Sequence, residues 1–85
     1  MKYSVTIKAN NSPELLERLL RVCRHRGFSV QNINGETTDN EQSLDVSLTV
    51  CSDRPISLLS KQLEKLFGVT RVVTAEEELV IKASA

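Results

Sequence analysis

Residues 43–51 alternate without a break. Leu44, Val46, Leu48 and Val50 are apolar, and Asp45, Ser47, Thr49 and Cys51 stand between and after them. Successive side chains of a strand point to opposite faces, so this run gives a sheet one apolar face and one polar face. Residues 2–9 repeat the pattern, with Tyr3, Val5, Ile7 and Ala9 on one side and Ser4, Thr6 and Lys8 on the other. Two such strands need an apolar cover on one side only. A chain of 85 residues forms one small domain and buries only about 60–65% of its unfolded surface. The cover must therefore come from the segments between the strands.

Those segments read as helices. Asn10 and Asn11 are turn residues, and Ser12 is expected to cap a helix with Pro13 at its first position, where the missing N–H costs nothing. Leu15, Leu16, Leu19, Leu20, Val22 and Cys23 make a broad apolar face at helical spacing. Glu14–Arg18 and Glu17–Arg21 are i,i+4 pairs in the favourable orientation. Arg24, His25 and Arg26 suit the negative end of the helix dipole, and Gly27 stops the helix. Phe28, Val30 and Ile33 open a second strand that runs to about Thr37. The turn Thr38-Asp39-Asn40-Glu41 then makes it the hairpin partner of residues 43–51. Ser52-Asp53-Arg54-Pro55 opens a second helix with Ile56, Leu59, Leu63, Leu66 and Phe67 as its expected buried stripe and Gly68 as its stop. Val69, Val72, Val73 and Ala75 make a fourth strand, which Glu76-Glu77-Glu78 can end. Leu79-Val80-Ile81 either extends that strand or packs as a tail.

The order is β-α-β-β-α-β. It specifies an α+β, ferredoxin-like sandwich: a four-stranded antiparallel sheet with two helices on one face. Right-handed crossovers give the strand order 4-1-3-2. Residues 1–78 are expected to form the domain and 79–85 a C-terminal tail. Strands two and four are edges. Strand two carries neither proline nor clustered lysine, so a homodimer through it is expected. The helix-free face carries Ser4, Thr6, Ser47 and Thr49, which suits water or contact with another protein.

Composition removes several function classes. The 11 basic and 11 acidic residues balance, so no overall field draws the chain to nucleic acid or anionic lipid. No apolar run approaches the roughly 20 residues of a membrane span. Met1 leads straight into a strand pattern, so no signal peptide and a cytoplasmic location are expected. Cys23 and Cys51 have no metal-type spacing and read as free thiols. The single histidine, His25, has cationic neighbours and no nucleophile in a recognisable motif, so it reads as a surface or interface residue. RNA-binding modules of this fold stack bases on aromatic residues of the open face. Here Tyr3 and Phe28 face the helices and Phe67 is placed in a helix, which leaves no stacking platform. A helix entrance after a tight loop favours a small anion such as a carboxylate. Asn11 either supplies an amide to such a ligand or is only a turn residue.

The element order, the Asn11 loop and the helix end Arg26-Gly27-Phe28 resemble the ACT domain family. The run from Pro13 through Arg24-His25-Arg26-Gly27-Phe28 is similar to small subunits of acetolactate synthase, isozyme II type. So is the segment from Gln62 through Gly68-Val69 to Val72-Val73, and the likeness covers roughly residues 3–75. The resemblance implies a noncatalytic regulatory subunit in branched-chain amino-acid biosynthesis, partnered by a catalytic large subunit that carries thiamine diphosphate, magnesium and FAD. In valine-sensitive relatives, valine binds at a dimer interface beside the first helix entrance. Asn11, Ser12, Glu14 and Ser29 stand at the corresponding positions. Glu14 replaces an expected glycine and Ser29 an expected asparagine, so valine insensitivity is expected. Arg18, Arg21, Arg24, His25 and Arg26, or else the open sheet face, are expected to meet the large subunit. The alternative is a free-standing domain that senses a small amino acid as a homodimer.

Overall fold

The computed structural model describes residues 1–12, 14–38 and 40–76. Its elements are β1 (Lys2–Asn10), α1 (Leu15–His25), β2 (Ser29–Thr38), β3 (Ser43–Cys51), α2 (Ile56–Glu64) and β4 (Val69–Glu76). All strand pairs are antiparallel, and the order across the sheet is β2-β3-β1-β4, as the crossover rule requires.

The alternation of β1 and β3 decides which face is covered. Tyr3, Val5, Ile7 and Ala9 lie opposite Val50, Leu48, Val46 and Leu44, and all eight are buried. Leu15, Leu19 and Cys23 of α1, Leu59 and Leu63 of α2, and Phe28 close over them to complete one core. Edge strand β2 is exposed along nearly its whole length, and a register shift between Val30 and Asn32 bends it. Leu16, Leu20 and Ile33, on the helix side beside this edge, remain 37%, 38% and 38% exposed. The outer half of the expected α1 apolar face is therefore uncovered in the single chain.

α2 differs from expectation at its end. It stops at Glu64, and the next N–H groups bond three residues back, Lys65 to Gln62 at 3.2 Å and Leu66 to Leu63 at 3.1 Å. This tighter winding takes Phe67 off the stripe. Phe67 is not buried in a helix but 90% exposed on the turn before Gly68, whose φ is +92°. Its exposure leaves the open sheet face still without a stacked aromatic among the described residues.

Cys23 and Cys51 are free thiols. Cys23 lies wholly inside the core, and burial pushes its thiol from 9.0 up to about 11. No helix among the described residues is long and apolar enough to cross a membrane. The expected boundary at 78, the tail 79–85, and Glu77 and Glu78 lie outside the described residues, as does the reading of Pro13 as a first helical residue.

Candidate functional site

The entrance of α1 is built from the loop that leaves β1. The Asn11 N–H donates to the Gln42 carbonyl at 2.9 Å, and its side-chain Nδ2 donates to the Glu41 carbonyl at 2.9 Å. Both acceptors belong to the β2–β3 turn, where Asn40 and Glu41 hold φ of 57° and 70°. Left-handed backbone at a residue bearing a Cβ costs about 1–2 kcal/mol, and the two Asn11 bonds help to hold it. The Asn11 amide is thus a clamp on the neighbouring turn. Of its two sequence readings, the turn role is the one its geometry displays.

Ser12 does not cap the helix with its side chain. Its Oγ donates to Glu14 Oε1 at 3.1 Å, and its carbonyl accepts from the Leu15 N–H at 3.1 Å. α1 begins at Leu15, two residues later than expected, with Glu14 in the cap position at φ −93° and ψ −1° and no side-chain cap bond. The hydroxyl satisfies the Glu14 carboxylate rather than a helix N–H, so the late start follows from a local side-chain pair. The expected Glu14–Arg18 pair does not form among the described residues. An anion approaching this entrance meets the Glu14 carboxylate and a Leu15 N–H already bonded.

Ser29 lies elsewhere. It pairs with Cys51 at one end of β3, whereas Asn10 pairs with Ser43 at the other. The 9 residues of β3 separate those ends by about 27 Å. A single copy therefore does not bring Ser29 to Asn11, Ser12 and Glu14. Ser29 instead lines a groove of about 490 Å³ with Leu20, Arg24, Phe28 and Val30.

The exit of α1 has a different character. The Phe28 N–H bonds back to the Cys23 carbonyl at 2.8 Å and the Gly27 N–H to the Arg24 carbonyl at 3.1 Å. Gly27 has φ +83°, the left-handed turn that closes a helix in this way. The Ser52 Oγ then donates to the Gly27 carbonyl at 2.9 Å and accepts from the Arg54 N–H at 3.0 Å. This clasp lays Arg54 across Gly27 so closely that a Cβ there would meet Arg54 Nε at 2.8 Å. Arg54 thus joins Arg24, His25 and Arg26, an addition the sequence reading missed. Its signal was present in Ser52, two residues before Arg54, where a hydroxyl commonly accepts a backbone N–H.

The expected basic surface is split rather than continuous. Arg21, His25 and Arg26 line a groove of about 180 Å³ with Val22 and with Gln62 of α2. Arg24 turns to the β2 side, and Arg18 is exposed on the helix between its ends. No group of three or more His, Cys, Asp or Glu residues suited to a metal ion exists among the described residues. The exit presents cations in shallow grooves, an arrangement suited to an acidic protein surface rather than to bond-making chemistry.

The ACT domain family matches residues 11–72. The acetolactate synthase isozyme 2 small subunit of Escherichia coli K12 is 42% identical over 76 residues, covering 89% of this chain and 87% of the relative. The chain belongs to the ACT domain family of acetolactate synthase small subunits. The small subunit of Mycolicibacterium smegmatis is 27% identical and matched over only 45% of its length, so this chain spans about half of that longer relative. Among solved structures, the ACT domain from the GTP pyrophosphokinase of Chlorobium tepidum superposes with a TM-score of 0.75 at 14% identity, covering 88% of this chain and 97% of that one. The acetolactate synthase small subunit of Thermotoga maritima gives 0.73 at 21% identity, covering 87% of this chain and 47% of that one. Both likenesses show the ACT fold, and the identity to the isozyme 2 relatives supports a regulatory, noncatalytic small subunit.

Proposed function

We propose that this chain activates a cytoplasmic acetolactate synthase and does not respond to valine. The thiamine diphosphate, magnesium and FAD of that enzyme reside on its catalytic subunit, and this chain supplies interface rather than chemistry. The observation that carries the reading is the contrast along α1. The entrance residues Asn11, Ser12 and Glu14 are bonded internally, while Arg21, His25, Arg26 and Arg54 at the exit face outward.

The chain works as a homodimer through β2 in this reading. Its support is the uncovered edge together with exposed Leu16, Leu20 and Ile33 beside it. Antiparallel pairing of two β2 strands would carry Ser29 of one copy toward the Asn11 end of the other and so complete the effector position between copies. At that position Glu14 faces the carboxylate of any amino acid. A carboxylate about 4 Å from another costs about 1–4 kcal/mol at the dielectric of a protein surface or bulk water.

Two measurements test the proposal together. The chain should co-elute with the cognate catalytic subunit, and calorimetry of the homodimer with valine should give no micromolar binding. Failure to co-elute would refute the subunit role. Micromolar valine binding would refute the closed entrance.

A further inference from the structure

The helix-free face carries a row of four charges that crosses the whole sheet. Glu36 of β2 lies opposite Asp45 of β3, Asp45 opposite Lys8 of β1, and Lys8 opposite Arg71 of β4. The row reads acid, acid, base, base over three strand spacings, about 14 Å. It borders a groove of about 470 Å³ on this face. Among the described residues none of the four forms an ion pair, and Asp45 Oδ1 is covered by its neighbours with no hydrogen-bond donor. Covered carboxylate oxygens are ordinarily satisfied, because removing them from water without a partner is costly. The adjoining row, Asn34, Ser47, Thr6 and Val73, is uncharged, and Val73 is 46% exposed.

The length of the row decides what fits it. A free amino acid separates its two charges by only a few ångströms and cannot span the outer pair. A protein face with the reverse order can, and this chain provides one. A two-fold axis between two facing sheets, parallel to the strands and above the β3/β1 boundary, reverses the strand order of the second copy. Glu36 then stands over Arg71, Asp45 over Lys8, and the same two pairs recur across the axis. Facing sheets pack about 10 Å apart, within reach of these side chains from both sides. A turn of the Asp45 side chain toward the second copy gives it the donor it lacks.

We propose that the helix-free face is a second self-association surface, docking another copy of this chain face to face through this self-complementary row. The contact is separate from the β2 edge and does not rest on the small-subunit reading. Four strands and about seven residues of each define a face of roughly 450 Å² per copy, about 900 Å² in total, which places the contact among weak, transient interfaces. Its two-fold axis lies above the β3/β1 boundary and does not meet the one at the β2 edge, about two strand spacings away, so the two contacts used together extend an assembly rather than close it.

The test is sedimentation equilibrium of the full chain at low and at molar salt, with two charge variants. One carries Lys8→Glu and Arg71→Glu, so its row is wholly acidic. The other carries Glu36→Lys and Asp45→Lys, so its row is wholly basic. The salt-sensitive association step should weaken at least about tenfold in each variant alone, and an equimolar mixture should restore it as a mixed species. Like charges set side by side within a chain could also loosen the fold. Mixing would not repair that, so recovery in the mixture reports the contact itself. Unchanged association in both variants, or no mixed species, would overturn the proposal. Loss of catalytic-subunit binding with unaltered self-association would overturn it too, and assign the face to that partner.

Discussion

The two ends of α1 are built from similar materials and are put to opposite uses. At the entrance, a hydroxyl, a carboxylate and an amide bond to each other and to the next turn, leaving little for an outside ligand. At the exit, backbone bonds and the Ser52 clasp close the helix, and the arginines and His25 are left facing outward. The difference teaches where polar groups are satisfied. A group bonded inside the chain shapes the fold, and one left unbonded is free for a partner.

The largest effect should come from the exit. Reversing two of its charges, Arg21→Glu with Arg26→Glu, should weaken catalytic-subunit binding by about a hundredfold, because like charges set against each other cost several kcal/mol. Titration of catalytic activity with the variant measures this. Its melting should stay within about 0.5 kcal/mol of the parent, as for other exposed changes. Equal binding by the variant would break the comparison outright.

Next is pH. Cys23 sits beneath the exit turn, and burial raises its thiol from 9.0 to about 11. The unfolded chain loses this proton first, so stability is unaffected below about pH 9 and falls as pH rises from there to about 11. The loss should approach roughly 2–3 kcal/mol. Denaturant melts of the parent and of Cys23→Ala across that range isolate the contribution, since the variant should lack this pH-dependent step. In the parent, a thiol reagent should modify partly exposed Cys51 well before Cys23.

The entrance should respond more modestly. Glu14→Gly removes the carboxylate and should raise valine affinity about fivefold or more, the lower end of the 1–4 kcal/mol repulsion. Calorimetry of the variant and the parent with valine reads it directly. Smallest are two serine changes that compare the ends. Ser52→Ala should cost about 1 kcal/mol, because it removes both bonds of the exit clasp. Ser12→Ala should cost under about 0.5 kcal/mol, since Ser12 makes no side-chain cap bond.

The legible parts of this chain were those set by periodicity. Alternation in β1 and β3 placed eight core residues on one face, and element order with crossover handedness gave the sheet order. The parts that escaped depend on single side chains choosing among near-equal partners. Ser12 could bond a helix N–H or Glu14, and both lie within its reach. Phe67 continued a helical stripe in sequence, but the last turn of α2 tightened first and left the ring outside. Arg54 became part of the exit only because Gly27 lacks a Cβ, a juxtaposition of residues far apart in sequence. The split between entrance and exit was visible as residue types, whereas the bonding that separates their roles was not.

The most direct test is acetolactate formation by the cognate catalytic subunit, with and without this chain, at zero and millimolar valine. Clear stimulation that valine leaves unchanged is the predicted result. No stimulation would contradict the activating role, and stimulation reversed by valine would show that the entrance is open to a ligand.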